Sequence, residues 1–201
     1  EVTKDLKEGV VHAVEKLANE TVFYWKQEGR DLAAIDATKL KDDCLAMVYR
    51  LLFLFYAESR PDLELLPTKD KTYQDGYSLE MLRDLEQVPL NTASSINGHF
   101  FHLSITRLFH LMSSGYREKQ EHSRSFRVRH LDSPLFDDAK LHYLKDVKLR
   151  NVVWQDVICQ LSLSRQQRGK ARGRISYANL GINQLGSVYE SLLAFRGFFA
   201  E

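Results

Sequence analysis

Apolar residues recur at spacings of three and four along much of this chain, and that period restricts it to packed helices. Between Thr3 and Gln27 they fall at Leu6, Val10, Ala13, Val14, Leu17, Ala18, Val22 and Trp25, the stripe of an amphipathic helix. Gly29 follows, where a helix end favours a residue tolerant of left-handed backbone. The spacing predicts a second helix from Thr38 to Ser59, with Leu40, Cys44, Met47, Val48, Leu51, Leu54 and Phe55 on one face. Leu45, Leu52 and Phe53 lie on its other faces, so it is apolar nearly all round and belongs at the centre of a core. Pro61 ends it, because proline disfavours helical backbone at Arg60.

Residues 61–76 hold Pro61, Pro67 and Gly76 and read as a loop. Ser78 is a good N-cap for a helix running to Gln87, with Met81 where a glutamate would complete a capping box. A further helix is expected over Ala93 to Met112, burying Ile96, Phe100, Leu103, Leu108 and Leu111 and stopped by Ser113-Ser114-Gly115. Residues 116–134 are charged and weakly periodic, and a helical segment is expected after Pro134. Asn151 to Leu163 resumes the helical pattern through Val153, Trp154, Val157, Ile158 and Leu161. The basic linker 165–174 is followed by a short extended piece, Ile175 to Tyr177, and by a last helix capped near Asn183. With 201 residues and 44% hydrophobic content the chain can bury one core. The expected fold is all-α, a single irregular helical bundle of about six to seven helices.

Composition narrows the setting. Cys44 and Cys159 sit far apart within helical apolar patterns, which suits buried thiols in a reducing cytosol. The longest apolar run, Leu51 to Ala57, falls far short of the roughly 20 residues that span a bilayer, so a soluble protein is expected, with no membrane partner. The net charge of +1 conceals a division. Residues 1–100 carry 12 Lys and Arg against 18 Asp and Glu, or −6; residues 101–201 carry 16 against 9, or +7. The positive excess is clustered at Arg124, Arg127 and Arg129, and again at Arg165, Arg168, Lys170, Arg172 and Arg174. Clustered cations are the electrostatic footprint of a phosphate-binding surface, although a solvated loop gives the same pattern.

Two short motifs invite a catalytic reading. Pro61-Asp62 looks like the opening of the PD-(D/E)xK nuclease motif, and Asp138-Ala-Lys140 and Asp146-Val-Lys148 have the acid-to-lysine spacing of its second half. Neither has the strand context that such a centre needs, and Pro61 is explained as a helix stop. His99-Phe-Phe-His102 could set two imidazoles on one helix face, but zinc needs two further ligands and no companion motif supplies them. Partly buried structural histidines are the plainer explanation. No glycine-rich phosphate loop and no nucleophile elbow is present.

The last quarter is the most specific stretch: Arg172-Gly-Arg-Ile-Ser-Tyr-Ala-Asn-Leu-Gly-Ile-Asn-Gln-Leu-Gly-Ser-Val-Tyr-Glu-Ser-Leu-Leu193. Gly181 permits a turn, Gly186 and Ser187 are small enough for close approach, and Leu185, Val188, Leu192 and Phe195 make an apolar stripe. This segment resembles one found in the large bacterial restriction–modification methylases of type IIG, where nuclease and adenine-N6 DNA methyltransferase share one chain, and in related phage-defence methylases. Three other stretches fit in order across most of residues 40–195: Tyr49 to Pro61, Gly76 to Leu85, and Pro134 to Asp137. The resemblance implies the helical connector between nuclease and methylase, in the bacterial cytoplasm. Residues 179–195 are then read as a docking helix toward a downstream methylase domain, with Gly186, Ser187, Tyr189 and Glu190 at the contact; the plainer reading is a core helix on which Tyr189 and Glu190 face solvent.

The Asn-Pro-Pro-Tyr-type motif and the S-adenosylmethionine turn of that family are absent from this sequence. The chain opens at Glu1 without an initiator Met and ends on Phe198-Phe199-Ala200-Glu201, so a module of a longer protein is expected. S-adenosylmethionine, and Mg²⁺ where a nuclease is kept, then belong to the parent, and the fragment is not catalytic alone. Double-stranded DNA and the neighbouring methylase and nuclease domains are the expected partners. The rival is a structural or protein-interaction spacer without DNA contact.

Overall fold

The computed structural model describes residues 2–115, 134–165 and 172–193. Helix α1, Val2–Gln27, turns Leu6, Val10, Ala13, Val14 and Leu17 inward as the spacing predicts. Its end is set by Gly29 at φ +66°, with the Arg30 amide donating back to the Trp25 carbonyl at 2.9 Å. Gly9 allows a close crossing: a Cβ there would lie 2.1 Å from the carbonyl oxygen of Gln160. That crossing joins α1 to α7, Asn151–Ser162, the most extensive helix pair of the fold. Glu20 on α1 is buried and takes the Arg150 guanidinium on both carboxylate oxygens, at 2.7 and 2.8 Å, just before α7 begins.

Helix α2, Ala37–Ser59, starts one residue earlier than predicted because Asp36 is the cap, its Oδ1 accepting from the amides of Thr38 and Lys39. These two amides hold the Asp36 carboxyl below its ordinary range. The helix is central, but it is not simply apolar all round. Asp43 and Arg50 are each 1% exposed, and each fixes a segment that is distant in sequence. Asp43 accepts from the amides of His142, Tyr143 and Leu144 at 2.6–3.0 Å. Arg50 donates Nε to the Leu135 carbonyl and Nη1 to Asp138, both at 2.7 Å, with its guanidinium over the rings of Phe109 and Phe136.

These anchors explain the first of several departures from the sequence reading. The segment after Pro134 is not an α-helix but three single 3₁₀ turns, Pro134–Phe136, Asp138–Lys140 and Leu144–Asp146, held by α2 rather than by its own ladder. The expected loop 61–76 contains a 3₁₀ turn at Pro61–Leu63 and helix α3, Lys71–Gly76, capped by Asp70 through the amides of Thr72 and Tyr73. Helix α4 is short, Leu79–Arg83, and does not reach Gln87. The helix expected over Ala93 to Met112 is bent at Gly98 into α5, Ala93–Asn97, and α6, Phe100–Ser114. A Cβ at Gly98 would meet the Ser94 carbonyl at 2.5 Å.

The bend resets the helical phase. Phe101, Ile105, Leu108, Phe109 and Met112 face the core, whereas Phe100 and Leu103, expected inside, are 51% and 62% exposed. Helix α8, Ile182–Leu193, packs on α1 and buries Val188. Asn183 lies within its first turn instead of capping it; Gln184 reaches back to accept from the Gly181 amide at 2.9 Å. Counting α5 and α6 as one bent unit, the described residues form seven helical units around one core, and the fold is all-α. No helix among the described residues is long and apolar enough to cross a membrane.

Candidate nucleic-acid interface

The basic linker leaves and re-enters the helical body at one place. Leu163 and Arg174 form an isolated antiparallel bridge, in which the Ser164 amide donates to Gly173 O at 2.8 Å and the Ile175 amide to Ser162 O at 2.7 Å. The expected extended piece thus begins here, before the 3₁₀ turn Tyr177–Asn179. These contacts join the two described ends of the basic linker, 162–165 and 172–175, into a short neck. Arg172 reinforces that neck by donating Nε to the Ser164 carbonyl at 2.8 Å, and Ser164 Oγ accepts from the Gly173 amide.

Helix α4 is the seat of the neck. The Ser78 hydroxyl caps it by accepting from the Met81 amide, and Glu58 at the end of α2 accepts from the Leu79 and Glu80 amides and from the Tyr73 hydroxyl. Burial pushes the Glu58 carboxyl up to about 7 against the pull of those three donors. From this short helix Glu80, Arg83 and Asp84, at i, i+3 and i+4, reach the neck. Arg83 grips both legs: Nε donates to Ser162 Oγ at 2.7 Å, and Nη2 to Ser162 O at 3.3 Å and Ile175 O at 3.1 Å. Its guanidinium lies over the Phe55 ring, which stacks on the buried Tyr177.

Arg174 answers from the other side with three carboxylates. Nη1 meets Glu80 at 2.9 Å, Nη2 meets Asp84 at 2.9 Å, and Nε meets Glu86 at 3.2 Å. The Asp84 bond does most to raise the Arg174 pKa. Glu86 is buried, and its Oε2 has no hydrogen-bond partner among the described residues. Withdrawing Arg174 would leave a buried carboxylate uncompensated, so this guanidinium is committed to the neck. Arg165 is paired with Glu8, and its amide donates to Asp5, tying the outgoing leg to α1.

The structure therefore brings together three of the five linker cations, Arg165, Arg172 and Arg174, and gives each of them a partner within the chain. Arg168 and Lys170 lie outside the described residues, as do Arg124, Arg127 and Arg129. Sequence reasoning missed Glu80, Arg83, Asp84 and Glu86, whose acid–base spacing across α4 was the available signal.

At the docking helix, Gly186 is exposed with open space where a Cβ would sit, Ser187 is half-buried and Glu190 is exposed. The side chain of Tyr189 lies outside the described residues, as do those of Leu192 and Phe195.

The histidine pair does not converge on a common point. His99 Nδ1 bonds the Leu149 carbonyl, while His102 Nδ1 accepts from the Leu149 amide and from Trp154 Nε1. Burial holds His102 down to about 4. Asp62 pairs with Arg60, and Asp138 with Arg50. Among the described residues no group of three His, Cys, Asp or Glu is arranged to hold a metal ion. The described residues define a helical-bundle protein in which the two ends of the basic segment are held together at one neck. No known protein family matches the chain, and no characterised protein or solved structure matches it significantly.

Proposed function

We propose that this chain is the helical connector of a bacterial restriction–modification DNA methyltransferase, which steadies the DNA backbone beside the methylase and is not catalytic alone. The observation that carries the reading is the clasped neck. A ten-residue segment with five cations, 165–174, springs from a bridge held by Arg83, Arg172 and Arg174. Phosphate contact then falls first to Arg168 and Lys170, because Arg174 spends its donors on carboxylates, with Arg124, Arg127 and Arg129 as a second group. The charge division and the ordered resemblance of residues 40–195 support the same reading. Residues 179–195 are the contact toward the methylase, through Gly186, Ser187, Tyr189 and Glu190. S-adenosylmethionine, and Mg²⁺ where a nuclease is kept, belong to other parts of the parent.

A second reading, a spacer without DNA contact, is favoured by the internal pairing of Arg165 with Glu8 and of Arg174 with α4. Limited trypsinolysis with mass-spectrometric mapping separates the two. Duplex DNA should slow cleavage after Arg168 and Lys170 if these residues hold phosphate. Cleavage there at the same rate with and without DNA would favour the spacer.

A further inference from the structure

We propose that Arg83 is a positioning residue for the basic loop, acting through the neck and not by touching nucleic acid. It is the one described side chain that donates to both legs, to Ser162 on the way out and to Ile175 on the way back. Its place is fixed from beneath by the Phe55 ring and beside it by Glu80 at 3.4 Å. Its side chain is 11% exposed, which leaves little of it for a phosphate. The planar guanidinium serves the two carbonyls and the hydroxyl from two separate nitrogens held in a fixed fork, whereas an ammonium brings its donors to a single point on a flexible stem. The neck in turn holds the two described ends of the basic segment, with Arg165 and Arg172, in place on the bundle, and fixing binding groups before they bind lowers the cost of binding.

The inference rests on the DNA-contacting reading, so its test has an arm that does not involve DNA. Arg83→Lys keeps the charge and removes the double grip; Ser162→Ala changes no charge and removes the hydroxyl that Arg83 Nε uses. Each folded variant is compared with the unaltered chain by amide exchange at Ser164 and Ile175, and by duplex-DNA anisotropy across a range of salt. Arg83→Lys should exchange about tenfold faster at both amides and bind DNA about tenfold more weakly, with an unchanged slope of log affinity against log salt. Ser162→Ala should move both readouts the same way by less. Lys170→Gln should instead reduce the slope by about one.

Unchanged exchange in both variants overturns the neck role, and faster exchange with unchanged DNA affinity overturns the positioning role toward DNA. A slope reduced by Arg83→Lys would make Arg83 a direct contact, which also overturns the proposal. If the unaltered chain binds no DNA, the proposed function falls, while the exchange arm still decides whether Arg83 holds the neck.

Discussion

Asp43→Ala should remove more stability than any exposed substitution, because its carboxylate is the acceptor for three consecutive amides. The amides of His142, Tyr143 and Leu144 all donate to it, as does His142 Nδ1 at 3.1 Å. The His142 side chain is 45% exposed, so water can replace that partner after the substitution. Leu144 is buried and Tyr143 half-buried, and their amides would be left without an acceptor. An orphaned buried donor costs about 1–3 kcal/mol, so the two together give a loss of about 2–6 kcal/mol. With a urea dependence of about 2 kcal/mol per molar, the unfolding midpoint should fall by about 1–3 M. His142→Ala removes only the exposed imidazole and should cost less than about 1 kcal/mol. Equilibrium urea unfolding followed by circular dichroism measures both. A loss under about 1 kcal/mol for Asp43→Ala would refute the reasoning, since it would mean that the three amides find other partners at no cost.

Gly9→Ala should destabilise by about 1–2 kcal/mol despite the better helix propensity of alanine, because its Cβ would fall 2.1 Å from the Gln160 carbonyl. Gly186→Ala, in open space, should instead stabilise by up to about 1 kcal/mol; the same sign for both in urea unfolding would contradict the packing argument. Two groups give opposite pH trends. Glu58 has a folded value raised from 4.5 to about 7, so its contribution is full below 4.5 and is lost as pH rises through about 7. The loss is about 1.4 kcal/mol per unit over that window. Glu58→Gln should flatten the decline, and an unaltered decline would contradict the assignment. His102 has a folded value lowered from 6.5 to about 4, so its contribution is full above 6.5 and is lost as pH falls toward 4. An imidazole NMR titration with a midpoint near 6.5 would contradict it.

The parts legible in the sequence were those governed by local period. In α1, α2 and α7 the apolar positions repeat at three and four, and the residues of that stripe are buried except Ala18, Val22 and Trp25 of α1, which are half-buried. What was not legible depends on partners far away along the chain. The 3₁₀ turns of 134–146 owe their shape to Asp43 and Arg50, roughly a hundred residues distant, and no local pattern announces that. Phe100 and Leu103 face outward because the bend at Gly98 shifts the phase of the first turns of α6, while Leu108 and Leu111 further along are buried as the spacing predicts. The basic cluster could be seen as composition, but the carboxylates that hold Arg174 come from residues 80–86, so its commitment to the neck could not be read. Asp70, by contrast, was a readable cap for α3, hidden by the prolines around it.

The claim at the centre of the account is that the loop held by this neck grips a DNA backbone. Its most direct test is duplex-DNA affinity measured against salt, for the unaltered chain and for Arg168→Gln/Lys170→Gln. The account predicts binding at low salt that weakens steeply as salt rises, with a log–log slope that the double substitution reduces by about two. Undetectable binding at low salt, or binding indifferent to salt, would contradict it.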